Sequence, residues 1–449
     1  MFPISDQQFR EAVDRLSILD VADATIRQIC ALAAELESIS GEPMVHLEIG
    51  NPGLAAENIG VETEIEALRN GIANQYPPIQ GIPHLKKAGH DFLKRFLDID
   101  VPEYGIVPTV GSMQGSFTLQ IIMGQRLKDQ GKDAMLFLMP GFAPNRQQSK
   151  VLGLKHEKFD IYKYRGKALE AKLESYLAKG NISAIMYSNP NNPAWTNLTE
   201  EELEIIGRLA TKYDAIVMED IAYFGMDFRE NVQAPGAIGH TVARYTDNYV
   251  LLLSGSKIFS YAGQRISLVC MSEAVYQRRY RYLEEFYEMP RFGDAYIYGI
   301  LYVASSGTAH SAQHAMANML EAAVNGKLPF VENCSEYGRR AGIVKQLFAD
   351  NGFHIVYDMD GDQPIADGFF FTIGYDGMTG AELQRELLKH GVSAITLAST
   401  GSDQQGVRVT VSMVKSDEDF KRLERFLRQF NNTHGKHSKT VRNEPCEVC

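Results

Sequence analysis

Six short apolar runs punctuate the chain up to about residue 270: Val45–Ile49, Ile106–Val110, Ala134–Met139, Ile182–Ser188, Ala215–Glu219 and Tyr249–Leu253. Longer amphipathic stretches such as Glu200–Tyr213 separate them. Short runs with so little polar content suit strands covered on both faces, and the stretches between them suit helices. The alternation therefore predicts βαβ units around a largely parallel sheet. Ligands of such sheets bind beyond the carboxyl ends of the strands, so the residues just after each run are the first candidates for chemistry.

From about Gly352 the pattern shifts to a smaller α+β set. It comprises His354–Tyr357, Phe369–Ile373, a helix over Gly380–His390, Ala394–Leu397, Val407–Val411 and a last helix over Asp417–Phe430. At the other end, Ala22, Ile26, Ile29, Ala33 and Leu36 recur at helical spacing between about Ser17 and Ser38, before Gly41-Glu42-Pro43 breaks the pattern. The expected organisation is an N-terminal helical arm at 1–44, a large domain at 45–325, a small C-terminal domain at 326–430 and a polar, disordered tail at 431–449.

With 45 Lys and Arg against 56 Asp and Glu, the formal charge of −11 offers no basic footprint for nucleic acid or an anionic membrane, so neither partner is expected. Five cysteines in 449 residues make no disulfide scaffold, and the start of the sequence carries no secretory pattern. A cytoplasmic location is expected. The uncharged stretches Tyr104–Gln125 and Ala295–Leu320 are interrupted by Pro, Gly, Gln, His and Asn, so neither is expected to span a bilayer. Cys446-Glu447-Val448-Cys449 is an isolated pair with only His434 and His437 nearby, and reads as solvated tail. His310 and His314 lie four apart on a predicted helix without the glutamate a zinc-hydrolase helix needs, and no metal is expected.

Three segments after strand-like runs carry chemistry. Lys257 follows Leu251–Leu253, with Ser254 three residues before it and Arg265 eight after. That hydroxyl and guanidinium can converge on a phosphate. Asp220 ends another run, with Tyr223 three residues on. As local chemistry the acid suits a helix N-cap, or a carboxylate paired with a protonated pyridine nitrogen. Ser188-Asn189-Pro190-Asn191-Asn192-Pro193 is locally a turn.

Together, Asn-Pro-Xaa-Asn-Pro at Asn189–Pro193, Asp-Xaa-Xaa-Tyr at Asp220–Tyr223, and Ser-Xaa-Ser-Lys with Gly-Xaa-Arg at Ser254–Arg265 resemble the pyridoxal-phosphate enzymes of the aspartate aminotransferase superfamily, fold type I. The resemblance is to the class I/II aminotransferases in particular, and it runs from about Ile26 to Phe430. It implies an α/β fold with a large cofactor-binding domain, a mostly parallel central sheet flanked by helices, and a smaller α+β domain.

The resemblance also implies roles. Lys257 would join the aldehyde of pyridoxal 5′-phosphate and move the proton between Cα and C4′. Asp220 would pair with the ring nitrogen, and Asn192 and Tyr223 would hydrogen-bond O3′. Ser254 and Arg265 would hold the phosphate, with the helix start at Gly111, Ser112 and Met113. Phe142 would stack on the ring. Tyr76 would reach the phosphate from a neighbouring subunit, which implies a homodimer with active sites at its interface. On the substrate side, Arg408 and Gly50 would meet the α-carboxylate, beside Asn192.

Two departures stand out. Ala194-Trp195 replaces the family's Thr-Gly, and Ala398–Ser402 replaces its Pro-Gly and aromatic stretch. The expected activity is transfer of an amino group from an L-amino acid to a 2-oxo acid by a ping-pong mechanism. The alternatives are a carbon–sulfur β-lyase or other lyase on the same site and, more remotely, a ligand-sensing regulator.

Overall fold

The computed structural model describes residues 1–126 and 131–435. They divide into two compact units. One holds Met1–Gly53, Pro193–Trp195 and the described residues from Glu336 onward. The other holds Leu54–Asn192 and Thr196–Ser335.

The second unit is an α/β layer built on a seven-stranded sheet. Its spatial order is Ile106–Val110, Ile266–Met271, Tyr249–Ser254, Ile216–Asp220, Ile182–Ser188, Ala134–Met139 and Lys155–Asp160. The last five pair in parallel, whereas Ile266–Met271 is antiparallel to both of its neighbours. Ile106–Val110 therefore runs in the same direction as the parallel set.

Two of these strands are not among the sequence-predicted runs. Lys155–Asp160 reads Lys-His-Glu-Lys-Phe-Asp, charged because it is an edge strand whose first four residues reach solvent. Ile266–Met271 follows Tyr249–Ser254 with no long helix between them, which suits an antiparallel neighbour. Beneath the sheet, Val107, Leu119, Ile122, Met135, Phe137, Met186, Met218, Leu252 and Tyr296 form one buried cluster. Each such side chain contributes roughly 1.5–3 kcal/mol through loss of water contact.

The helix after Ile106–Val110 starts at Gly111, whose φ of +70° turns the chain straight from strand into helix. The helix Glu200–Lys212 opens with a capping box, the Thr199 hydroxyl accepting from Glu202 N–H and the Glu202 carboxylate from Thr199 N–H.

In the first unit, Ile395–Thr396, Val407–Thr410, Phe370–Tyr375 and Phe353–Ile355 form an antiparallel sheet in that order. Val45–His46 pairs in parallel with Val392–Ser393, so the first predicted run belongs here and not to the large sheet. Just beyond it, Leu47 N–H donates to the Ser393 carbonyl and the Leu47 carbonyl accepts from Thr410 N–H, each at 3.0 Å, while the Glu48 carboxylate meets His46 and Ser393.

Two helices precede it, Asp6–Arg15 and Ile26–Ser40, opened by capping boxes at Ser5/Gln8 and Thr25/Gln28. The single expected helix thus begins later than Ser17. Its forerunner was marked in the sequence only by Ser5-Xaa-Xaa-Gln8. The last helix, Asp417–His434, runs past Phe430. The Cys446/Cys449 pair lies outside the described residues. Among those residues no helix is long and apolar enough to cross a membrane.

Candidate active site

Strand direction alone gathers most of the expected residues. Six strands of the large sheet end on one side, and Phe142, Asn189–Asn192, Asp220, Lys257 and Gly111–Met113 stand at or just beyond the ends of five of them. Arg265 joins them because the antiparallel strand Ile266–Met271 begins where its neighbours finish, Val110 and Ser254 pairing with Ile266 and Ser267.

Arg265 packs on Gly111: a Cβ on that glycine would lie 2.3 Å from Nη2 of the guanidinium. The helix start beside it carries Ser112, whose hydroxyl oxygen is shielded from solvent and has no hydrogen-bond partner among the described residues. Ser254 caps the short helix Gly255–Ile258 that bears Lys257, its oxygen accepting the Ser256 N–H at 3.1 Å, which leaves its own proton to donate elsewhere. A guanidinium, a hydroxyl with no partner among the described residues and the N–H groups of a 16-residue helix could together hold a phosphate-sized anion.

Asp220 is buried, and its carboxylate accepts one backbone N–H, from Ala222 at 3.1 Å. Burial pushes its pKa up to about 7, against the smaller lowering effect of that N–H. A buried carboxylate with so little support has room for a cationic N–H donor. It pairs in register with Leu252 on the strand leading to Lys257 and with Ser188 on the other side. Tyr223 and Asn192 are buried, and the Asn192 N–H donates to the Ser188 hydroxyl at 3.1 Å. Phe142 is half-buried at the start of the helix Ala143–Val151. Met113 is 39% exposed, and Tyr76 is 90% exposed in this single chain.

Sequence reasoning missed the support beneath these groups. Glu219, fully buried, accepts from the Thr241 hydroxyl at 2.6 Å, Val242 N–H at 3.1 Å and Asn189 Nδ2 at 3.4 Å. Burial nonetheless holds its pKa up at about 7. Asn189 N–H in turn donates to the Asp220 carbonyl at 3.0 Å, so the Asn-Pro turn and the Asp220 strand end are tied together. The only sequence sign was an acid inside an apolar run.

The expected carboxylate-binding residues belong to the first unit. Arg408 is buried at 2% exposure, pairs across its sheet with Thr372 and Ile395, and donates through Nη2 to the Glu48 carbonyl. Its guanidinium lies 4.8 Å from the Phe370 ring centroid, and the same ring reaches within 3.4 Å of where a Cβ on Gly50 would sit. Glu48 was not singled out in the sequence. Its carboxylate is buried yet held below its ordinary pKa: burial raises it, but hydrogen bonds and charge from His46, with the Ser393 hydroxyl, outweigh that.

His310 and His314 stack at 5.4 Å between ring centroids. Elsewhere Glu386, His390 and His434 each bring one donor atom within 4.8 Å of the others. Lys389 Nζ at 3.0 Å and Arg385 Nε at 3.2 Å already neutralise that carboxylate and compete with any ion.

The sheet and the residues gathered at its strand ends define an α/β fold. The family model "Aminotransferase class I and II" matches residues 42–426, and the chain belongs to that family, whose members use pyridoxal phosphate. The chain is similar to nicotianamine aminotransferase 1 of Oryza sativa subsp. japonica, with 27% identity over 216 residues, 47% of this chain and 43% of that protein. It is also similar to asparagine–oxo-acid transaminase of Streptococcus mutans, 22% identical over 91% of this chain and 98% of that protein. Several relatives, the rice protein among them, are matched over only 43% to 60% of their own length. Among solved structures, a double mutant of Thermus thermophilus aspartate aminotransferase shares the fold with a TM-score of 0.73. It is 18% identical, over 93% of this chain and 98% of that one.

Proposed function

We propose that this protein is a pyridoxal-phosphate-dependent aminotransferase that moves an amino group from an L-amino acid to a 2-oxo acid in two successive half-reactions. The observation that carries this reading is the buried, sparsely supported carboxylate of Asp220, one strand away from the strand that leads into Lys257. When bound, the cofactor supplies an aldehyde for the amino group and a pyridinium ring that withdraws electrons from Cα.

The chain's own groups do the rest. Asp220 keeps a ring nitrogen protonated, which works only if the carboxylate is dry enough to prefer a cationic partner to water. Lys257 Nζ would hold the cofactor through its aldehyde and, when free of it, would serve as the base that takes the proton from substrate Cα and as the acid that gives it back. Asn192 and Tyr223 orient O3′ by hydrogen bonds, and Phe142 covers a ring face. Arg265, Ser254, Ser112 and the N–H groups at Gly111–Met113 hold the phosphate. Arg408 binds the substrate carboxylate through its fork, with Gly50 giving the backbone close access. Tyr76, nearly fully exposed in one chain, serves the phosphate site of a second copy, so the working form is a homodimer.

The test is a screen of L-amino acids against purified protein loaded with pyridoxal phosphate. A productive donor abolishes the absorbance of the Lys257-bound cofactor without an acceptor, and a 2-oxo acid restores it. Lys257→Ala does neither. Steady release of pyruvate and ammonia from a cysteine conjugate, with no acceptor present, would instead establish the lyase reading. Failure to take up the cofactor would overturn both.

A further inference from the structure

The loop that bears Asn192 continues into Pro193–Trp195, and those three residues pack in the unit that contains Arg408. Trp195, the chain's only tryptophan, is fully buried and adopts φ +65°, a left-handed backbone that costs free energy for any residue with a Cβ. Such strain persists only where the surroundings over-determine it.

Gly368 and Phe370 both meet the indole. Gly368 gives it room: a Cβ there would fall 2.0 Å from Cε2, 2.1 Å from Nε1 and 2.3 Å from Cζ2 of Trp195. Phe370 meets it edge-on, with ring centroids 6.0 Å apart and planes at 67°. Gly368 lies in the bend that leads into the strand Phe370–Tyr375, two residues before Phe370. Phe370 also carries the Arg408 guanidinium 4.8 Å from its centroid. Contacts therefore run from Trp195 to Phe370 to Arg408, and the glycine at 368 makes the first of them possible.

We infer that Trp195 is a positioning residue for substrate recognition: by fixing the Phe370 ring it sets the direction in which Arg408 presents its fork to the substrate carboxylate. This rests on the reading of Arg408 as the carboxylate ligand. Trp195 touches neither substrate nor cofactor in this role. An indole serving only as core filling would stabilise the fold without coupling to Arg408.

The experiment is a double-mutant cycle on the pyridoxal-phosphate-loaded enzyme, using the amino donor identified by the screen. Wild type, Trp195→Phe, Gly368→Ala, Arg408→Lys and the Trp195→Phe/Arg408→Lys double variant are compared for kcat, KM and cofactor absorbance. Trp195→Phe keeps an aromatic ring, and Gly368→Ala displaces the indole without altering it, so one covers the other should either fail to fold.

We expect each of these two to raise KM about tenfold with kcat nearly unchanged. On Arg408→Lys, Trp195→Phe should have little further effect, because the two act through one contact chain. If Trp195→Phe and Gly368→Ala leave KM unchanged, or if the Trp195 and Arg408 effects multiply independently, the inference is wrong. If Arg408→Lys itself leaves KM unchanged, the reading of Arg408 fails first.

Discussion

The guanidinium of Arg265 occupies the space in which a side chain on Gly111 would begin, with Nη2 2.3 Å from that Cβ position. The glycine also holds φ +70°. One position thus meets two demands, a sharp strand-to-helix turn and close approach of a cation to a helix N-terminus.

Gly111→Ala should therefore do two kinds of damage. The left-handed backbone makes an alanine cost about 1 kcal/mol or more of stability, and the displaced Arg265 should weaken pyridoxal-phosphate binding roughly tenfold or more, about 1.4 kcal/mol. Equilibrium dialysis and thermal unfolding would measure both. Gly263→Ala, where nothing lies within 4 Å of the new methyl, is the control. Equal behaviour of the two variants would refute the cradle.

Ser112 offers a test with opposite signs in the free and loaded protein. Its shielded hydroxyl has no partner, so Ser112→Ala should leave the cofactor-free protein as stable as before or slightly more so. Loss of a hydrogen bond to a charged phosphate should cost binding roughly 1.5–3 kcal/mol. Calorimetric melting of both forms separates these effects. Parallel losses in the two forms would show the hydroxyl to be structural.

Asp220 should leave a signature in the pH dependence of the cofactor-free protein. Its folded pKa of about 7 lies above the ordinary value of 3.8, because burial favours the neutral acid. The folded state then binds more protons than the unfolded state between those values. Its contribution is full below pH 4 and is lost as pH rises through 7, by at most roughly 4 kcal/mol. Asp220→Asn should flatten that decline while reducing turnover by roughly a hundredfold or more. Denaturant titrations at pH 5 and 8 are the check. Glu219 titrates in the same sense, so the slope should shrink rather than vanish.

His46 gives a second window. Its hydrogen bond to Glu48 leads in raising its pKa to about 9, burial opposes this, and the charges of Glu48 and Glu37 add to the rise. Its stabilisation is complete below pH 6.5 and disappears as pH rises through 9. His46→Gln should reduce the fall in stability between pH 6.5 and 9, leaving the part that Asp220 and Glu219 contribute near pH 7. Because Glu48 also supplies the carbonyl that receives Arg408, wild-type KM for the amino donor should rise over the same interval. A flat KM would mean that the His46–Glu48 pair does not reach Arg408.

What was legible in the sequence followed from local chemistry. Strands covered on both faces must be apolar throughout, so Ile106–Val110, Ala134–Met139 and Ile182–Ser188 could be read directly, and the reactive residues stood immediately after such runs. What tertiary structure alone decided was everything that depends on partners distant in the chain. Val45–His46 is too short a pairing to choose its sheet locally, and it joined Val392–Ser393. Lys155–Asp160 could be charged because it lies at an edge. Glu48 and Glu219 gained meaning only when folding buried each beside specific donors, since a carboxylate's pKa and role follow from its surroundings. Trp195 looked like an isolated oddity until Gly368, 173 positions further on, was seen to leave space for its indole. The order of residues determined which groups the chain would bring to its strand ends. Packing decided which of them would be dry, paired or pressed into a strained backbone, because those properties belong to the neighbours and not to the residue.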